Sequence, residues 1–401
     1  MRIAENVSSI PSSPHRMVVS IADRKRKEGK VVFNFSQGQP GLPPDQQALE
    51  AFADRLLKHP FDLSKYGETK GLTQLRQAVS QDLKSYGSVD VPPDQMIVTD
   101  GAVEGLDLTL TCLTKPGDRL LLLEPCYSVY WDLLRLHGLR AVAVGEKLGT
   151  GFQPSPEELK GALEEDVAAV ILCSPDNPTS RIISKEAVDT IVDGVIDKGI
   201  PLLYDEAYKH VLYEGVHLWI HNRTGLSENL ISLNSFSKDL AIPGFRLGYM
   251  YGPKGFIEQA TKVKAMTSIC SPTPSQYLAL TYFELGRKEP YLREVLPVYR
   301  RRRDALYRAV SSHLSSARVL RPTAGMYLFP DLSAYLNPLM LGDVDFCMNL
   351  AEEGEVITIP GSISGPSGVG HVRMCFVGEN EEKLEEGVLR LSSYLSKIGP
   401  R

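Results

Sequence analysis

The chain has 401 residues, 43% of them hydrophobic and 23% charged, with a formal net charge of -5. That length and balance support a sizeable buried core, arranged as one large domain or two. The mild acidity excludes a global basic field of the kind that draws nucleic acid or an anionic lipid surface, and no apolar run has the length needed to cross a bilayer.

From Met1 to about Pro44 the sequence shows little regular pattern and several Ser, Pro and Gly residues, as expected of an arm or lid. Its first six residues lack the charged, apolar and small-residue zones of a secretory signal. The run Arg24-Lys25-Arg26-Lys27 reads as a solvated helix face. The centre of the chain then alternates short apolar runs with longer amphipathic ones, the mark of a largely parallel sheet covered by helices. Strands are expected at Met96–Thr99, Arg119–Glu124, Ala141–Val144, Ala168–Cys173, Leu202–Tyr204, Leu230–Leu233 and Leu247–Tyr251. Their runs are continuously apolar rather than alternating, which fits strands buried on both faces. Helices are expected at Val103–Thr114, Ser128–His137, Pro156–Glu164 and Lys185–Lys198, the last opened by Ser184 as N-cap.

A long helix is expected from Tyr291 to about His313, with Arg300–Arg303 on its exposed side. Beyond it, Ala317–Leu320, Gly325–Phe329, Val356–Ile359 and Val372–Phe376 read as strands of a smaller α+β unit, closed by a helix over Glu381–Lys397. The expected fold class is therefore α/β: a large domain over 45–288 with a mainly parallel seven-stranded sheet, and a small domain over 289–401 joined by part of the arm 1–44. Six cysteines (Cys112, Cys126, Cys173, Cys270, Cys347 and Cys375) lie far apart with no Cys-x-x-Cys pair, so reduced thiols in a cytoplasmic protein are expected.

The most informative stretch is Ser235-Phe236-Ser237-Lys238, with Arg246 eight positions on. A lysine amine becomes a covalent catalyst where its surroundings favour a Schiff base with an aldehyde. A hydroxyl and a guanidinium nearby make a seat for a phosphate. Pyridoxal 5′-phosphate carries both groups. Alone, Ser-x-x-Lys is a motif that chance supplies easily, so other segments must support it. Thr99-Asp100-Gly101-Ala102-Val103-Glu104-Gly105 follows a strand and opens a helix, where Gly101, Ala102 and Val103 would aim backbone N–H groups at a phosphate. Asp205 follows an apolar strand, as a helix cap or a site carboxylate would, and Tyr208 lies three residues on. Asp176-Asn177-Pro178 is a good turn sequence, and Tyr127, Tyr66 and Arg373 each have an ordinary reading as core, turn or surface residue.

Taken together, these segments resemble the class I/II aminotransferases, fold-type I pyridoxal phosphate enzymes, from about Phe33 to Leu395. The resemblance implies that Lys238 forms the internal aldimine with the cofactor and later carries a proton between the substrate's Cα and the cofactor. It implies that Asp205 pairs with the protonated ring nitrogen, that Tyr208 and Asn177 donate to the 3′-oxygen, and that Tyr127 stacks on the ring. Ser235, Arg246, Gly101, Ala102 and Val103 would hold the phosphate. Arg373 would grip the substrate's α-carboxylate, with Gly38 and Asn177 beside it. Tyr66 would reach the neighbouring site of a homodimer. Lys238 is then expected to have its pKa lowered by neighbouring positive charge and burial. The family usually has glycine where this chain has Ser180, a change tolerable if φ there stays negative.

The reading is an aminotransferase that moves an amino group between an L-amino acid and a 2-oxo acid, with no metal required. The same scaffold is shared by carbon–sulfur β-lyases, aminocyclopropanecarboxylate synthases and enzymes that oxidise or cyclise amino acids, which stand as the alternative. A cofactor-sensing regulator is disfavoured because no basic recognition helix is present, and an inert scaffold because every chemistry-bearing position is filled. For an acidic substrate side chain, Lys70 or Arg16 could supply a second cation; Glu68 could instead meet a basic one.

Overall fold

Continuous apolar runs become strands covered on both sides. The computed structural model describes residues 12–399 together with 3, 5–8 and 10, so expectations placed on Met1, Arg2 and Ala4 lie outside the described residues. In chain order the strands are β1 (Phe33–Asn34), β2 (Met96–Thr99), β3 (Arg119–Glu124), β4 (Arg140–Gly145), β5 (Ala169–Cys173), β6 (Leu202–Asp205), β7 (Leu230–Ser235), β8 (Gly248–Tyr251), β9 (Tyr327–Leu328), β10 (Val356–Ile357), β11 (Ile359–Pro360) and β12 (Val372–Cys375). β2 to β8 form a seven-stranded sheet in the order β2-β8-β7-β6-β5-β3-β4. All neighbours pair in parallel except β8, which runs antiparallel to both β2 and β7.

The apolar runs have a direct physical reason. In β3, Leu121 and Leu123 face one helical layer while Leu120 and Leu122 face the other. In β5, Val170 and Leu172 turn to the first layer, and Ala169, Ile171 and Cys173 to the second. A period of two with both faces buried leaves no position for a polar residue. Each fully buried leucine contributes on the order of 2 kcal/mol of transfer free energy. Helices cover both faces, among them Ala102–Leu113, Ser128–Leu136, Pro156–Glu164 and Lys185–Lys198. Ser184 caps the last by accepting from the Ala187 N–H, and Ser155 and Glu158 form a reciprocal cap on Pro156–Glu164.

Because the parallel strands share one direction, β2, β5, β6 and β7 end on the same side of the sheet. The antiparallel β8 begins there, with Gly248 opposite both Thr99 and Ser235. Loops leaving that side converge, as they do in open α/β sheets that bind ligands.

The remaining strands build a second assembly. β12 lies between β11 and β9, antiparallel to each, and β1 pairs in parallel with β10. One hydrophobic core joins Val18, Ile21, Phe33 and Phe35 to the helices Lys288–His313 and Glu381–Ile398.

Three expectations need correction. The first 44 residues are not patternless: Pro14–Lys27 is a helix that buries Val18, Ile21 and Ala22, spaced three and four apart, with Pro14 at the first position where its missing N–H costs nothing. Its basic run is exposed except at Lys25, and Arg24 and Lys25 both meet Glu352. Ala317–Leu320 is not a strand; it makes a single antiparallel bridge, Arg318 to Asp331. Arg300–Arg303 is exposed only at Arg300 and Arg301. Arg303 is buried, donates to Pro322 O at 2.8 Å and sits 5.0 Å over the Tyr213 ring, while Arg300 and Arg302 donate to the carbonyls of Tyr213 and Val377. Carbonyls left open at strand and turn ends outcompete water for these guanidinium groups. The six cysteines are unpaired, and among the described residues no helix is long and apolar enough to cross a membrane.

Candidate active site

The converging loops and the second assembly enclose a cavity of about 840 Å³. Gly38, Ala102, Val103, Tyr127, Asn177, Asp205, Tyr208, Ser235, Lys238, Arg246 and Arg373 all line it. Gly101 stands just behind the lining, and Tyr66 lies away from it on an exposed loop, 79% accessible.

Lys238 lies in the short helix Phe236–Asp239 that follows β7, and its amine donates to the carbonyl of Gly38. Nζ stands 5.5 Å over the ring of Tyr208. Burial lowers its pKa to about 8; Cys375 opposes the change, and the nearby charges of Arg373 and Arg246 add to it. Ser235 caps the same helix by accepting from the Ser237 N–H at 3.2 Å. Gly38 thus meets the lysine through its carbonyl.

Asp205 ends β6. One carboxylate oxygen accepts from the Tyr130 hydroxyl at 2.6 Å and the other from the Ala207 N–H at 3.0 Å. Burial pushes its pKa up, and these two hydrogen bonds oppose the rise. Tyr127 starts the helix Ser128–Leu136 and meets Tyr130 edge-on at 5.6 Å.

Arg373, on β12, donates to Asn177 Oδ1 and to Ser36 O, each at 3.2 Å, and its guanidinium carbon lies 4.4 Å over the ring of Tyr327. Its Nε is buried with no hydrogen-bond partner among the described residues. Arg373 lines the cavity, and a guanidinium with an unsatisfied N–H fits a carboxylate. Asn177 is held from behind, because the adjacent Asp176 carboxylate takes hydrogen bonds from Thr179 and Arg181 in a buried cluster that includes Glu146.

On the opposite wall, Gly101 has φ +90 and precedes the helix Ala102–Leu113. A Cβ on Gly101 would lie 2.6 Å from Arg246 Nη2, and one on Gly248 would lie 3.0 Å from Ala102 N. Only glycine lets the helix N-terminus, Arg246 and Ser235 share this corner. Arg246 is fixed there by hydrogen bonds to Asp100 O and Pro243 O, both at 3.1 Å. The residue set fits a group that carries an aldehyde, a ring nitrogen and a phosphate.

Several contributors were not legible in sequence. Tyr130 reads as core by its helical spacing, His15 lies in the segment expected to be irregular, and Tyr327 hides in the apolar run Gly325–Phe329. His15 lines the cavity, and burial, with Arg373 adding to it, lowers its pKa to about 4. Arg16 lines the cavity too, and makes no ion pair among the described residues. Lys70 instead donates to Asp94 O, and Glu68 meets Thr73 and Arg76. Ser180 departs from expectation: its φ is +55, not negative. The cost is offset locally, since Ser180 N donates to Asp176 O, its carbonyl accepts from Ala324 N, and Oγ accepts from Tyr327 N.

The family model described as aminotransferase class I and II matches residues 30–391. The chain is 29% identical over 399 residues to a probable aspartate/prephenate aminotransferase of Aquifex aeolicus, covering 99% of each protein. It is 27% identical over 398 residues to the aspartate/prephenate aminotransferase of Thermus thermophilus, covering 98% of this chain and 99% of that one. Among solved structures, the aspartate aminotransferase from Thermus thermophilus with maleate superposes with a TM-score of 0.90 at 26% identity, over 98% of this chain and 100% of that one. The aspartate aminotransferase from Thermotoga maritima gives 0.88 at 26% identity, with the same coverage.

Proposed function

The chain belongs to the class I and II aminotransferases, enzymes that use pyridoxal phosphate to exchange an amino group between an amino acid and a 2-oxo acid, and from that premise we propose the residue roles that follow. When bound, the cofactor supplies an aldehyde carbon that bonds to amines and a ring that takes up the electron pair left at the substrate's Cα. Lys238 would hold that carbon through its amine. Its lowered pKa suits the amine to accept and return the Cα proton near neutral pH. Asp205 takes the ring nitrogen's N–H, with Tyr130 steadying the carboxylate. Tyr208 and Asn177 donate to the 3′-oxygen, and Tyr127 covers the ring. Ser235, Arg246 and the N–H groups of Gly101, Ala102 and Val103 hold the phosphate.

Arg373 receives the α-carboxylate through its unpartnered Nε and neighbouring Nη, beside Asn177 and Gly38. A planar fork fixes the direction of the Cα–H bond. The single observation that carries this reading is the cavity shared by a half-buried lysine, a buried carboxylate and an arginine with an orphaned nitrogen.

Arg16 supports an acidic side chain on the substrate, since it is a cation on the cavity wall without an ion pair among the described residues, and relatives carry the name of aspartate. We also propose a homodimer in which Tyr66 of the partner subunit completes each site, since the exposed Tyr66 contributes nothing to the cavity of its own chain. The proposed working units are a large body over 45–288 and a small one over 289–401 with part of 1–44, supported by the pairing of β1 with β10.

The test is to load the purified protein with pyridoxal phosphate, reduce with borohydride and map the added mass. Label on the peptide containing Lys238, together with stoichiometric glutamate from aspartate and 2-oxoglutarate, is the expected result. Label elsewhere rejects Lys238, and ammonia with pyruvate released from cysteine in the absence of an acceptor, with no glutamate formed when one is supplied, rejects transfer. Arg16→Gln should raise the KM for aspartate at least tenfold while leaving an uncharged donor little changed.

A further inference from the structure

Tyr327 OH lies 2.9 Å from Tyr208 OH, and both rings are buried. The two rings meet at 74° with centroids 6.0 Å apart, so each hydroxyl points to the other past the ring edge. Tyr327 is fixed from two further directions. Its backbone N–H donates to Ser180 Oγ at 3.0 Å, and the Arg373 guanidinium lies 4.4 Å over its ring. The charged and titratable groups around the pair are Arg373 on β12, Tyr127 at its helix start, Cys375 at the end of β12 and Lys238 against Tyr208.

We propose that Tyr327 is a positioning residue whose hydroxyl donates to Tyr208, and thereby strengthens the hydrogen bond that Tyr208 gives the cofactor's 3′-oxygen. The inference rests on the role proposed above for Tyr208. The direction of donation follows from the surroundings. A guanidinium over a phenol ring draws electron density from the oxygen, which makes that hydroxyl the better donor and the poorer acceptor. Tyr208 carries no such cation at ring contact other than the Lys238 amine at 5.5 Å, which on bonding the cofactor becomes the titrating nitrogen itself. A hydroxyl that accepts a hydrogen bond becomes a stronger donor in turn. Charge on the 3′-oxygen is then better stabilised, and the nitrogen joining cofactor to Lys238 becomes less basic.

The experiment is a pH titration of the visible absorbance of the lysine-bound cofactor in the wild type, Tyr327→Phe, Tyr208→Phe and the double variant. Phenylalanine keeps the ring beneath Arg373, and the absorbance band itself reports a folded, loaded site. Tyr327→Phe should raise the apparent pKa by roughly half a unit to one unit, and in the Tyr208→Phe background it should add nothing. An unchanged or lowered pKa in the single variant overturns the proposal. So does an equal further shift in the Tyr208→Phe background, because Tyr327 would then act independently of Tyr208. A wild type that takes up no titrating, lysine-bound cofactor overturns the parent reading and this inference with it, and is distinct from either result in the variants.

Discussion

Ser180 and Gly325 stand back to back, so that a Cβ on Gly325 would lie 2.6 Å from Ser180 Oγ. Both have positive φ, +55 and +65. Only one of the two can therefore carry a side chain. Gly325→Ala combines left-handed strain with that contact and should cost about 2–4 kcal/mol of stability. In the Ser180→Gly background the side-chain contacts go and only the Cα of residue 180 remains at 3.3 Å, so the same change should cost only about 1 kcal/mol. Unfolding of the four proteins by denaturant checks this. Equal losses in both backgrounds would show that the two residues do not interact.

Tyr130 matters through Asp205. Tyr130→Phe leaves one carboxylate oxygen without a donor, at a buried group whose pKa burial already raises. The neutral form gains ground and the hold on the ring nitrogen weakens. Turnover with saturating cofactor should fall roughly 5- to 100-fold, the equivalent of one lost buried hydrogen bond. A fall of less than twofold would remove Tyr130 from this role.

His15 gives a pH signature. Its folded pKa, about 4, lies below the ordinary 6.5 through burial first and Arg373 second. Between those values the unfolded chain binds a proton that the folded chain refuses. Stability from this group is thus present above about 6.5, declines as the pH falls, and is gone below about 4. The difference in unfolding midpoint between wild type and His15→Gln should change over that window and be flat above it.

For Lys238 the sign concerns reactivity. The neutral amine bonds an aldehyde, so cofactor uptake by the apoprotein should quicken as pH rises toward about 8 and then level off. Arg373 contributes to the lowered value, so Arg373→Met should move the profile to higher pH. Stopped-flow absorbance follows both. A profile unmoved by Arg373→Met would assign the lowering to burial and Arg246.

Much of this was legible because its causes are local. The seven strands of the large sheet announce themselves through runs such as Leu120–Leu123, where burial on both faces forbids polar residues. Lys238, Asp205, Asn177 and Arg373 stand at strand ends with distinctive neighbours, and one cavity gathers them. What escaped depends on contacts distant in sequence. Tyr327 meets Tyr208 across 119 positions, and Arg303 meets Pro322 O across a turn that no periodicity foretells. Strand order and the reversed direction of β8 are likewise decided by packing between segments. Ser180 shows a different limit: its backbone conformation is imposed by Tyr327 and Ala324, and its own residue type argues against it.

The pairing of β1 with β10 bears on how the molecule is made. His15 and Gly38 are among the early residues to leave the ribosome, and Arg373 is among the late ones, yet they line one wall. The lysine, the aspartate and the phosphate corner are all translated in between. A nascent chain halted before β12 would already hold every residue assigned to the cofactor, and Arg16, but would lack the arginine assigned to the substrate's α-carboxylate. In this protein the ability to hold the cofactor is encoded ahead of the arginine that orients what reacts with it.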